Sequence, residues 1–333
     1  MTRLLTLRLM PLVMVAVLVV CVASIGIGQT LPESWQVLFA RQDVAGDWEI
    51  YNLDVTHGMF YKMYSDVMFP RMPQVSPDRR FVSYQDARGV LYIYDAETGH
   101  AHEIAYGDVP TWSPDSRQIA YPYNGYIRLV TLQDDGSFSD PQVIVNNHRN
   151  DVWSPVWSPD GRQLAFEIYQ DSVRQVFVVE SDGVNLRDFV GERATDYDPA
   201  WSPDGQYIAY ASLVGGERDI YVSDVDGNYT ELLTADLNNE YINDIRWSPT
   251  MTHLAFTSYR SDPPTIFILN RTTRNDVLGP FDTISVGTMG WSLDGQHLAY
   301  VQSDEGGSSI NVVDIDGDSH QVLHTYGQVV ILP

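Results

Sequence analysis

The chain has 333 residues, with 20 Lys and Arg against 44 Asp and Glu, for a formal net charge of −24. Such a surface repels phosphate backbones and argues against nucleic-acid binding. The one cysteine, Cys21, lies in an N-terminal apolar stretch, so the rest of the chain has neither a disulfide framework nor a thiolate metal site.

Residues 1–28 differ in kind from the rest of the chain. Arg3 and Arg8 precede an almost unbroken apolar run from Leu9 to Gly28, and no acid appears before Glu33. This pattern predicts a signal peptide, with cleavage positions at Ser24, Gly26 or Gly28, or an uncleaved anchor whose membrane contact is confined to residues 9–28. Either form places residues 29–333, read as a single domain, outside the cytoplasm. Cys21 follows Val20 rather than a small residue, which favours an apolar core cysteine over a lipid attachment site.

From there one phrase recurs: an aromatic, then Ser-Pro-Asp-Gly, then an apolar strand. The clearest copies are Trp157-Ser158-Pro159-Asp160-Gly161 with Leu164-Ala165-Phe166, and Trp201-Ser202-Pro203-Asp204-Gly205 with Ile208-Ala209-Tyr210. Looser copies start at Val75, Trp112, Trp247 and Trp291. The six serines, at 76, 113, 158, 202, 248 and 292, are spaced 37, 45, 44, 46 and 44 residues apart. A period in the low forties suits a propeller blade of four short strands. Proline pre-sets the first turn residue, aspartate tolerates the next, and glycine takes the positive φ that returns the chain as a hairpin. Arg79, Ser116 and Met251 stand where Gly205 stands, so those turns are expected to be strained or altered.

A second phrase follows later in each unit, clearest in Asp219-Ile220-Tyr221-Val222-Ser223-Asp224-Val225-Asp226-Gly227. It recurs seven times, the additional copy being Trp48–Asp54. Val37-Leu38-Phe39-Ala40 precedes that copy as Ile208–Ala211 precedes its own. The mature chain therefore starts at the second strand of a blade, and Val329–Leu332 is expected to supply the missing innermost strand. The reading is an all-β, seven-bladed propeller closed by three N-terminal strands and one C-terminal strand, with six blades as the fallback if the N-terminal copy forms a cap.

The Trp-Ser-Pro-Asp-Gly phrase followed by an Ile-Ala-Tyr type strand resembles the TolB-type β-propeller repeat, over residues 34–333. The resemblance implies a stand-alone propeller without the α/β domain that precedes the propeller of TolB. It leaves function open, because the same repeat occurs in binding proteins, in the propellers of prolyl-oligopeptidase-like peptidases and in oligogalacturonate lyase.

In that architecture the blade-to-blade connections ring the mouth of the central channel. Here they are polar: Asp108, Asp151, Asp196-Tyr197-Asp198 and Asp244, with Arg149, Arg193 and Arg246 among them. These are the candidate ligand-binding residues, weighed against solvated loops whose Asp side chains cap their own turns. No cofactor is called for, although a divalent cation would suit an acidic mouth. Asp224–Asn228 and Asp314–Asp318 lack the glycine-sixth, glutamate-twelfth frame of a calcium loop and read as hairpin turns. His100 and His102 share one strand face but form too small a set for a metal. A Gly-x-Ser-x-Gly elbow is absent. Asn228 and Asn270 begin glycosylation sequons, relevant only where the host glycosylates. The expectation is an extracytoplasmic, non-catalytic scaffold for an envelope or extracellular protein, peptide or glycan. A metal-assisted polysaccharide lyase or hydrolase at the channel mouth is the alternative.

Overall fold

The computed structural model describes residues 35–42, 47–64, 71–147, 151–170, 173–190, 195–214, 216–234, 241–259, 264–273, 277–282, 289–304, 307–325 and 329–331. The predicted leader, residues 1–28, lies outside them. The described residues form seven four-stranded antiparallel sheets, one per blade. Among them no helix is long and apolar enough to cross a membrane. Blades 1 to 6 span residues 71–106, 111–146, 151–188, 195–232, 242–282 and 289–325.

Blade 7 closes the ring. Its innermost strand is Val329–Ile331, paired antiparallel with Gln36–Gln42 through Phe39↔Ile331, Ala40↔Val330 and Arg41↔Val329. Trp48–Asp54 and Met59–Lys62 complete it. Seven blades with mixed-terminus closure is therefore the architecture, and all seven copies of the second phrase are third strands of their blades.

The repeated turn is held by its own side chains. In five blades the serine hydroxyl donates to the carboxylate two residues on, at 2.5–2.7 Å (Ser76–Asp78, Ser113–Asp115, Ser158–Asp160, Ser202–Asp204, Ser292–Asp294). That carboxylate accepts the N–H two residues further, as Asp204 does from Gln206. The serine oxygen accepts the N–H five residues ahead, as Ser202 does from Tyr207. Hydrogen bonding from Ser158 holds the Asp160 carboxyl below the usual carboxylate range. The turn aspartates are thus consumed locally.

Arg79, Ser116 and Met251 do take the glycine conformation, with φ of 64°, 61° and 60°. Their turns are not altered. The N–H of Met251 reaches Ser248 O at 2.9 Å, as that of Gly205 reaches Ser202 O. The surrounding hydrogen bonds fix the turn, and the cost is confined to the backbone dihedral.

Packing runs between blades. Seven apolar clusters occupy the seven blade interfaces, one each. The repeat tryptophans also cross these joints. Trp157, Trp201, Trp247 and Trp291 donate their indole N–H to Thr111, Val156, Ala200 and Arg246 carbonyls of the preceding blade, at 3.0–3.3 Å.

Two outcomes are expected from this arrangement. Deleting residues 329–333 should expose the pairing edge of Gln36–Gln42, lowering the unfolding temperature and producing concentration-dependent aggregation by light scattering. Arg79→Gly should raise stability by about 1 kcal/mol in urea unfolding, since Arg79 is exposed and glycine removes the cost of its positive φ.

Candidate functional site

The first strand of each blade lies innermost and contacts the first strand of the next around much of the ring. Blade-to-blade connections and the turns between second and third strands share one end of the ring, here called the upper face.

Near that face the innermost strands bulge. Two residues oppose one in blade 1 (between Arg71 and Gln74), blade 3 (Trp153 and Val156), blade 4 (Tyr197 and Ala200) and blade 5 (Asn243 and Arg246). The second bulged residue is Pro73, Pro155 or Pro199, a position where the ladder needs no N–H. The first is left-handed at Ser154, Asp198 and Asp244, with φ of 50°, 57° and 55°. Aspartate tolerates that region better than most residues. Blade 5 carries Ile245 in place of proline, and its N–H is taken by Asp198 Oδ2 of blade 4 at 3.1 Å.

A chain of polar contacts therefore crosses three blades. Glu167 Oε1 accepts the Asp198 N–H at 2.9 Å, and Arg174 Nη1 lies 3.5 Å from Glu167 Oε2. Arg246 Nε donates to Asp244 Oδ1 at 2.8 Å. Asp244 Oδ2 is buried without a hydrogen-bond partner among the described residues. Burial, then the neighbouring charges of Asp244 and Glu167, push the Asp198 carboxyl up to about 7. Burial likewise raises Glu167, while the Asp244 carboxylate raises Arg246 further.

Beside this chain, blade 3 presents a wetter surface. Register places Trp153 opposite Glu167, and Tyr169 opposite both Asp151 and Arg174. Alternate positions share a sheet face. Asp151, Trp153, Glu167, Tyr169 and Arg174 thus lie on one face of blade 3, the one turned toward blade 4, as the burial of Ala165 and Val176 against Ile208 and Tyr210 confirms. Trp153 is 46% exposed and Tyr169 43%.

The structure sorts the predicted residues. Asp151, Asp196, Tyr197, Asp198 and Asp244 stand in innermost strands rather than in loops. Asp198 and Asp244 come together. Asp196 and Tyr197 are each 2% exposed, and the Tyr197 ring stacks on Tyr241 at 5.5 Å. Asp151 is exposed on the blade 3 face. Asp108 is exposed in the first connection, where its N–H donates to Pro122 O. Arg149 and Arg193 lie outside the described residues. Glu167, Trp153, Tyr169 and Arg174 were not singled out from the sequence. Glu167 had a signal: it is the one acid inside the apolar run Leu164–Ile168.

Among the described residues no group of three His, Cys, Asp or Glu side chains is arranged to hold a metal ion. His102 instead packs edge-on against Phe138 at 5.4 Å. Asp224 and Asp314 each cap the backbone of their own hairpin.

These features define a seven-bladed β-propeller built from inter-blade polar and apolar joints. Residues 109–245 match the TolB beta propeller domain. A comparison with curated proteins found no match. Among solved structures, TolB from Acinetobacter baumannii is 17% identical, with 87% of this chain and 80% of that chain covered and a TM-score of 0.54. An oligogalacturonate lyase in complex with manganese is 16% identical, covering 90% and 86%, with a TM-score of 0.64. A putative 6-phosphogluconolactonase from Bacteroides fragilis is 13% identical, covering 92% and 100%, also at 0.64. At these identities the likeness is one of fold, shared by enzymes and by TolB.

The raised Asp198 carboxyl makes a signed prediction. A folded-state value of about 7 against an ordinary 3.8 means that the folded chain holds the proton more tightly. The associated stability is fully present below about pH 4 and is lost as pH rises toward 7. Asp198→Asn retains an acceptor for the Ile245 N–H and has no charge to bury. Chemical unfolding from pH 4 to 8 should show a flatter profile for the variant and a gain of a few kcal/mol at pH 8.

Proposed function

We propose that the chain is an extracytoplasmic propeller that works by binding, presenting its upper face to a protein, peptide or glycan of the cell envelope or exterior. The observation that carries this reading is the blade 3 face. Trp153 and Tyr169 are held exposed on paired strands, while the carboxylates beside them, Glu167 and Asp198, accept inter-blade backbone hydrogen bonds. Rigid aromatic side chains on a fixed scaffold lose little entropy on binding and serve well as anchors. The apolar N-terminal run of residues 9–28 supports export, and the TolB-type repeat is compatible with it.

A second reading, a polysaccharide lyase or hydrolase at the same mouth, draws on Asp198. A carboxyl that titrates near neutrality between two other carboxyls is equipped for general acid–base work. Crosslinking of the intact protein in envelope fractions, with Trp153→Ala as comparison, separates the two. A binding scaffold should recover a partner from the intact protein, and recovery at least ~5-fold lower with Trp153→Ala would assign the contact to the blade 3 face. Turnover of a polysaccharide that Asp198→Asn abolishes, with no partner recovered, would overturn the binding reading.

A further inference from the structure

Trp153 and Tyr169 differ from most large aromatics on the strands of the blades. Tyr106, also exposed on the upper face, stacks on Tyr123 at 6.3 Å, and the half-buried rings of Tyr84 and Tyr92 stack on each other at 5.5 Å. Among the described residues neither the Trp153 nor the Tyr169 side chain has a ring partner, a guanidinium above it or a hydrogen bond. They occupy diagonal positions on adjacent strands, about 7 Å apart, so that one extended ligand spans both.

Charge selects what that ligand is. The chain carries 44 acids against 20 bases, and anions meet a repulsive field. On the face itself Arg174 is engaged with Glu167, and its guanidinium lies 6.0 Å from the Tyr197 ring. Asp151, across from Tyr169 and two residues from Trp153, is exposed and has no ion-pair partner among the described residues. Two open π faces next to one open carboxylate suit a primary ammonium or guanidinium, which gains from both at once. A neutral sugar stacks on such rings and donates its hydroxyls to a carboxylate, but it carries no charge to gain from the acidic field of the chain.

We infer that the Asp151–Trp153–Tyr169 face of blade 3 is a docking site for a basic peptide segment, a Lys or Arg side chain lying on Trp153 with its charge directed to Asp151. This rests on the binding reading above and names the partner's chemistry.

The test uses the whole protein and three probes: tetralysine, tetraglutamate and a neutral cellotetraose, followed by tryptophan fluorescence and calorimetry. Tetralysine should bind, and its affinity should fall as salt rises from 50 to 500 mM. Trp153→Ala and Asp151→Asn should each weaken binding about 5- to 10-fold at unchanged unfolding temperature. Tyr229→Ala, an exposed tyrosine in the turn between third and fourth strands of blade 4, should leave it unchanged. Tetralysine binding that Trp153→Ala does not alter is diffuse charge attraction and overturns the site. Cellotetraose binding that depends on Trp153, without tetralysine binding, assigns the face to glycans and overturns it too. A natural partner captured equally by wild type and Trp153→Ala removes this site while sparing the scaffold reading. Site-dependent tetralysine binding with no partner captured has the opposite result.

Discussion

Each apolar cluster of the ring belongs to two blades, so no four-stranded sheet here has a core of its own. Ala165, Val176 and Val178 of blade 3 are buried only because Ile208 and Tyr210 of blade 4 cover them, and the same holds at every joint. A sheet with two apolar faces gains burial solely through its neighbours, and an open end would leave one face wet. Closure is therefore a requirement of the hydrophobic term. The chain meets it by pairing Val329–Ile331 with Gln36–Gln42, which seats Ile331 among Phe39, Ala299 and Val301. The indole bonds from Trp157, Trp201, Trp247 and Trp291 add direction to those joints, fixing which carbonyl each blade offers to the next.

The same dependence explains where polar groups gather. An inner strand must turn sharply from its connection into a crowded axis, and bulges provide the bend. Three bulges end in proline, which leaves no donor to satisfy. The fourth ends in Ile245, whose N–H lies at a joint away from its own ladder. Asp198 from the previous blade supplies the acceptor, and Glu167 in turn accepts the Asp198 N–H. Carboxylates thus enter the interior as hydrogen-bond partners of a distorted backbone and accumulate charge there as a consequence.

Fold was far more legible in the sequence than site. Turn chemistry is local: Ser202, Pro203, Asp204 and Gly205 act within a few residues, so their repetition announces each blade, and the surplus third strand at Trp48–Asp54 announces the closure. The site depends on register. Trp153 faces the same side as Glu167 and Tyr169 only because a bulge comes next at Ser154-Pro155, and that pairing is not readable from spacing alone. Register also moved Asp196 and Tyr197 from an expected mouth into buried joints. Proline two residues before the repeated serine phrase's first position, at 73, 155 and 199, is a visible trace of three of the bends, and Ile245 takes that place in the fourth bulged strand.

That exception bears on Asp198 itself. The backbone there needs a residue that accepts a left-handed φ and offers one oxygen to Ile245. Asparagine meets both needs without a charge, and left-handed positions accept it at least as readily. The carboxylate instead sits in the field of Asp244 and Glu167, with Arg246 engaged by Asp244 and Arg174 by Glu167. Burying a third acid among two arginines opposes folding at neutral pH, where a neutral amide would not. The hydrogen-bonding demands of the fold account for a polar side chain at 198 and leave its ionisable proton unexplained by architecture.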